Sequence, residues 1–187
     1  VARDNRSPSP VSASSEIVVL PVRGSVYMLA GAGGNISVSV GPDGVLLVDT
    51  GSATLTDKVL TTLQQLQKQL AITNPPDWHF AAETRSNLPK IVAPNPPPKP
   101  IRYILNTGAD ADHTGGNERL ASAGATMTGG NVAGTIADSG EGAAIIAHEN
   151  VLNRMSEPGG KQASFRAIPT DTYHTDGMKL SHFFNGE

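Results

Sequence analysis

The segment NISVSVGPDGVLLVDTG, residues 35–51, constrains the fold more than any other part of the chain. Ile36, Val38 and Val40 alternate with polar residues, the pattern of a strand with one apolar face. Gly41-Pro42-Asp43-Gly44 predicts a turn. Val45, Leu46, Leu47 and Val48 then follow without a break. A strand apolar on both faces asks for cover on both faces, so this hairpin belongs inside a layered structure.

Further short strands precede it at 16–22 and 25–31, joined by glycine turns, which predicts a meander. The glycines of GAGGN (31–35) lack the strand-to-helix setting of a nucleotide-binding loop and read as a hairpin. After residue 51 the period changes. Leu55, Val59, Leu63, Leu66 and Leu70 fall at spacings of four, four, three and four, the stripe of an amphipathic helix. Ser52 or Thr54 is placed to cap it, and Asn74-Pro75-Pro76 to stop it. IRYILN (101–106) predicts a second buried strand, NERLASAG (117–124) a short helix, and AAIIAH (143–148) a strand. ENVLNRM (149–155) predicts a helix and MKLSHFF (178–184) a final strand. Strands and helices alternate from residue 45 onward, which argues an α/β layered domain. Residues 1–15 are polar and Ser/Pro-rich, a flexible arm ahead of a domain over 16–187. Residues 73–100 form a long proline-rich loop, and 128–142 are glycine-rich.

Composition narrows the function classes. The 187 residues carry 14 Lys and Arg against 17 Asp and Glu, a net charge of −3 that offers no basic footprint for nucleic acid. No apolar run approaches the length of a membrane span. With no cysteine, disulfides, thiolate metal sites and cysteine nucleophiles are excluded. That absence is compatible with an exported or periplasmic protein. The first residue is valine, which fits a removed leader or a trimmed chain.

The chemistry concentrates in NTGADADHTGGN, residues 106–117, directly after a buried strand. Open α/β sheets bind ligands outside the carboxyl ends of their strands. Asp and His are metal ligands of hard-to-borderline character. On an extended segment Asp110 and Asp112 point to one side, and His113 enters from the adjacent turn. The plainer alternative is a turn, for which Asp, Asn and Gly are also the usual residues. The other histidines carry less weight. His148 reads as a helix opener, His174 as part of a His-Thr-Asp-Gly turn, His182 as a solvent-facing strand residue, and His79 as a loop residue near Trp78.

The chain resembles the metallo-β-lactamase superfamily of metallo-hydrolases. The resemblance rests on NISVSVGPDGVLLVDTG, the amphipathic helix, IRYILNTGADADHTGGN, AAIIAHENVLNRM and LSHFFNGE, in the family's order. The family signature after the strand is Thr, then His-x-His-x-Asp-His, commonly followed by Thr-Gly-Gly-Asn. Thr107, Asp112, His113, Thr114, Gly115, Gly116 and Asn117 match it, whereas Gly108 and Asp110 stand where the two leading histidines belong. The implied fold is an αββα sandwich, a mixed sheet flanked by helices, with only its first half present. The resemblance further implies a ligand set of Asp110, Asp112 and His113 for at most one divalent metal, zinc first and iron or manganese next. Asp112 and His113 would be the catalytic residues, with Asp112 also holding the water. Asp49, in the matching Val-Asp-Thr-Gly, would support the ligands from behind, and it reads equally well as a strand-end turn former. The implied activity is attack of a metal-activated water on an ester, lactone, thioester or amide of a small-molecule substrate. The alternative is a decayed enzyme of the same fold serving binding or assembly. The family's later ligands lie beyond Glu187, so the expected partner is the second half of the same polypeptide as a separate chain, after cleavage at an exposed hairpin tip, with further self-association allowed. Two inserted stretches, 73–100 and 126–143, are expected near the site mouth.

Overall fold

The computed structural model describes residues 16–73, 98–125, 142–157, 163–180 and 183–185. Seven strands form one sheet in sequence order: β1 (Val18–Arg23), β2 (Val26–Ala30), β3 (Ile36–Gly41), β4 (Gly44–Val48), β5 (Ile101–Asn106), β6 (Ala144–His148) and β7 (Asp171–Tyr173). The first four pair antiparallel. From β4 to β7 the pairing is parallel. Parallel neighbours need crossovers, and each crossover carries helix. A 3₁₀ turn (Ala53–Leu55) and helix α1 (Thr56–Thr73) link β4 to β5. Helices α2 (Ala111–Thr114) and α3 (Asn117–Ser122) link β5 to β6, and α4 (Glu149–Met155) links β6 to β7. The mixed sheet with flanking helices is the α/β architecture expected from the alternation, and GAGGN is the β2–β3 hairpin.

Register decides which residues become core. Val38 stands opposite Leu47, and Val40 opposite Val45. A strand period of two therefore gathers Ile36, Val38, Val40, Val45 and Leu47 on one face. Val59, Leu63 and Leu66 of α1 and Leu120 of α3 pack onto that face, all buried. The predicted stripe is realised from Val59 to Leu70, while Leu55 falls in the 3₁₀ turn. Neither predicted cap acts through its side chain. Ser52 occupies the cap position of the 3₁₀ turn, but its hydroxyl pairs with Thr54 Oγ1 at 3.1 Å.

The other face of the sheet is less covered. Leu46 and Val48 are half-buried there. Val18, Leu20 and Val26, which share that face by register, are 50%, 41% and 38% exposed. Phe183 lies edge-on to Tyr103 at 5.5 Å.

One predicted strand is wrong. Within 178–184 the described residues, 178–180 and 183–184, form no strand. The last strand is instead Asp171–Tyr173, beside β6. It docks through Thr170, whose N donates to Ile145 O at 2.8 Å while its Oγ1 accepts from Ile145 N at 3.0 Å. A three-residue polar strand at a sheet edge has no apolar period to announce it. Phe184 and Asn185 return instead to the β3–β4 turn. There Phe184 N donates to Asp43 Oδ2, and Asn185 Nδ2 donates to Gly44 O at 2.9 Å. His174 leads into a bend at 175–176 rather than a hairpin. His148 opens α4 as expected, its Nδ1 accepting from Asn150 N at 3.2 Å. His79, His182 and nearly all of both inserted stretches lie outside the described residues. No described helix is long and apolar enough to cross a membrane.

Candidate active site at the ends of the parallel strands

The site lies where β4 and β5 end. Asp49 follows β4 with φ of 64°, left-handed backbone that aspartate tolerates better than most residues. Its N–H is tied to Leu105 O at 2.7 Å, which places the carboxylate over the end of β5. There Oδ1 accepts from Thr107 N at 2.8 Å, and Oδ2 accepts from Thr107 Oγ1 at 2.6 Å. Oδ2 also faces His113 Nδ1 at 2.9 Å. An ionised carboxylate only accepts, so the ring proton sits on Nδ1 and the neutral imidazole keeps its lone pair on Nε2. The hydrogen bond to Asp49 raises the His113 pKa above 6.5; partial burial opposes it, and the charges of Asp49, Asp112 and Asp110 reinforce it.

The motif is not extended. Asp110 takes the cap position of α2, and its carbonyl accepts from His113 N at 2.9 Å and Thr114 N at 3.0 Å. Asp112 and His113 are therefore helical, and a helical residue does not share a side with its second neighbour. Asp112 Oδ1 stands 3.8 Å from His113 Nε2. Asp110 Oδ1 lies 3.8 Å from Arg154 Nη2 on α4. The structure thus brings Asp49, Asp112 and His113 together and leaves Asp110 apart. The expectation that Asp110 and Asp112 converge is corrected by the helical turn. The turn packs closely against the chain after β4: a Cβ at Gly115 would stand 2.5 Å from Ala111 O and 2.7 Å from Ala53 N, so only glycine fits there.

Three further residues hold the motif: Thr50 and Asn106, which were not singled out from sequence, and Asn117, noted there only as a match to the family motif. Each ends an apolar run or a glycine turn, which reads as punctuation, yet all three are buried. For Thr50 and Asn106 the only signal was being polar residues at the ends of apolar strands.

The donor set can be tested against a metal. A Cβ at Gly108 would lie 3.2 Å from His113 Cδ2, close enough that a side chain there would need the imidazole to give by a few tenths of an ångström. With no side chain at Gly108 and an oxygen donor at Asp110, these two positions supply no ring nitrogen. One ion about 2.1 Å from each donor can span the 3.8 Å between Asp112 Oδ1 and His113 Nε2. Among the described residues no three His, Asp or Glu side chains converge as a metal shell.

A family model described as the metallo-beta-lactamase superfamily matches residues 29–177. The chain belongs to the metallo-beta-lactamase superfamily. No curated protein matches by sequence. Among solved structures, a metallo-beta-lactamase from Pontibacter korlensis is 14% identical, over 89% of this chain and 56% of that one, with a TM-score of 0.48. One from Cronobacter sakazakii with a HARLDQ motif is 18% identical, over 87% and 46%, with a TM-score of 0.40. FIM-1 from Pseudomonas aeruginosa, in a mono-zinc form, is 15% identical, over 86% and 51%, with a TM-score of 0.43. The chain therefore spans about half the length of these metallo-beta-lactamases.

Proposed function

We propose that this chain supplies one half of a metallo-hydrolase active site, in which Asp112 and His113 hold a single divalent ion, zinc first and iron or manganese next. The observation that carries this reading is the Asp49–His113 hydrogen bond of 2.9 Å, which fixes the ring proton on Nδ1 and keeps the Nε2 lone pair toward Asp112. A ligand histidine typically gives its other N–H to a carboxylate in this way. The ion would supply Lewis acidity toward an ester, lactone, thioester or amide carbonyl and make water more acidic. The protein's own part is positional. Asp49 holds the ring and Thr107 holds Asp49, while the half-exposed Asp112 carboxylate would be the group to take a proton from the attacking water. Remaining donors come from the second half of the fold, which would also cover the exposed Val18, Leu20 and Val26.

A second reading is favoured by Gly108 and by the Asp110–Arg154 approach: a protein of this fold that has lost catalysis and serves binding or assembly. One experiment separates the two. His113→Ala in the assembled protein should abolish metal-dependent hydrolysis across a panel of ester, lactone and thioester substrates while the far-ultraviolet circular dichroism stays unchanged. Equal activity and equal zinc content in His113→Ala and wild type would favour the second reading.

A further inference from the structure

We propose that Thr50, Asn106 and Asn117 are positioning residues, a buried hydroxyl–amide triad that sets His113 from its backbone while Asp49 sets its ring. The proposal rests on the reading of His113 as a functional residue. His113 O accepts from Thr50 N at 2.9 Å and Asn106 Nδ2 at 3.2 Å, and the single proton of Thr50 Oγ1 is shared between His113 O at 2.9 Å and Asn117 Oδ1 at 3.0 Å. Those donors are themselves held. Asn117 Oδ1 accepts from Asn106 Nδ2 at 3.1 Å and lies 3.0 Å from Thr50 Oγ1. Asn117 Nδ2 donates to Asn106 Oδ1 at 2.8 Å and to Ala167 O at 2.7 Å. Thr50 Oγ1 in turn accepts from Gly116 N at 3.1 Å.

The pattern allows one arrangement. Turning the Asn117 amide over would set its oxygen against Asn106 Oδ1 and Ala167 O, and its NH₂ against the Asn106 NH₂. Like groups would face each other with no water to relieve them, since Asn117 and Thr50 are fully buried and Asn106 is 4% exposed. An amide locked in this way has two ends in different parts of the site. One end, Oδ1, meets the two side chains, Thr50 and Asn106, that reach the carbonyl of the residue whose ring meets Asp49. The other grips the loop that leads to β7 through Ala167 O. A helix cap would need one hydrogen bond to a free N–H; no side-chain cap bond forms at α3, whose cap position is Gly116. The triad therefore does something other than start a helix. It removes the freedom of α2 to slide along the strand ends, which would carry His113 away from Asp49.

The test uses ¹⁵N-labelled full protein treated with chelator, in which long-range ¹H–¹⁵N spectra locate the His113 ring proton. Thr50→Val keeps the shape and removes the hydroxyl. It should erase the single Nδ1–H tautomer in favour of exchange between tautomers and weaken zinc binding by about tenfold to a hundredfold. Thr50→Ser, which restores the hydroxyl, should restore both. Asn106→Ala tests a second member in the same way. A folded Thr50→Val or Asn106→Ala protein that loses thermal stability but keeps the wild-type His113 ring spectrum would overturn the proposal. Should neither variant fold, the wild type decides: side-chain amide protons of Asn106 and Asn117 should exchange with solvent far more slowly than other asparagine amides, and ordinary exchange would overturn the triad. Failure of the underlying functional reading shows itself differently, as equal zinc affinity in wild type and His113→Ala, and leaves the ring spectra interpretable.

Discussion

Replacing Asp49 by Asn tests the site at its best-defined point. The change keeps shape and volume but turns one acceptor oxygen into a donor. The new carbonyl can still accept from Thr107 N, now at 2.8 Å from Oδ1. The new NH₂ then occupies the place of Oδ2, which meets Thr107 Oγ1 and His113 Nδ1 at 2.6 and 2.9 Å. It is satisfied only by donating to both. The imidazole must then carry its proton on Nε2, and the lone pair that faced Asp112 disappears. Energetically, a hydrogen bond to a charged group is worth about 1.5–3 kcal/mol and a neutral one about 0.5–1.5 kcal/mol. The exchange therefore costs about 1–1.5 kcal/mol, and the 35% exposure of the His113 side chain keeps it near the lower figure. For a chain of this size that is a fall of about 2–4 °C in Tm. The pH dependence has a definite sign. The Asp49 hydrogen bond raises the folded His113 pKa above 6.5, so the imidazolium–carboxylate contribution is complete below pH 6.5 and is lost as pH rises through the folded value. The gap in Tm between wild type and Asp49→Asn should thus be widest near pH 6 and shrink at alkaline pH. Long-range ¹H–¹⁵N spectra of chelator-treated protein should show the ring proton on Nε2 in the variant. A proton still on Nδ1, or a Tm gap that widens with rising pH, would refute the reasoning.

Other predictions address the metal and the loop. Elemental analysis of the assembled protein should give no more than one tightly bound ion per site; two zinc ions would contradict the reading of Gly108 and Asp110. Gly108→His should raise zinc affinity, measured by competition with a chromophoric chelator, because it adds an imidazole beside the one at 113; its Cβ, 3.2 Å from His113 Cδ2, asks only a few tenths of an ångström from a half-exposed ring. Gly115→Ala drives a methyl group against backbone at 2.5 and 2.7 Å and should cost about 1–3 kcal/mol, read as a loss of Tm. Arg154→Ala removes an exposed partner 3.8 Å from Asp110 and should change stability by less than about 1 kcal/mol in a urea titration; a larger loss would show that the pair holds α4 to the motif.

What could be read from the sequence divides along physical lines. Burial repeats with the period of the element, so β3, β4 and the α1 stripe were legible from Ile36 to Leu70. β7 was not, because Asp171, Thr172 and Tyr173 have no apolar period and the strand exists through what Thr170 offers to Ile145. The same division runs through the site. Asp49, Asp112 and His113 were legible as chemistry because their side chains suit the task and their order matches a family motif. Asp110 was misplaced because extended and helical backbone present the same residue on different sides. The choice between them is made by contacts distant in sequence, Gly115 against Ala53 and the His113 carbonyl against Thr50. The joint role of Thr50, Asn106 and Asn117 was not legible for a related reason. A polar side chain at the end of an apolar strand is usually there to meet water, and only the folded structure reveals that these three meet one another instead. It follows that the retained Thr-Gly-Gly-Asn string is better understood as part of the machinery that holds His113 than as a remnant of a turn. Its glycines admit the close backbone approach, and its asparagine closes the triad. A site built in this way can lose the donors at 108 and 110 and still hold Asp112 and His113 in place, because what orients them lies in β4, β5 and α3 rather than in the missing histidines.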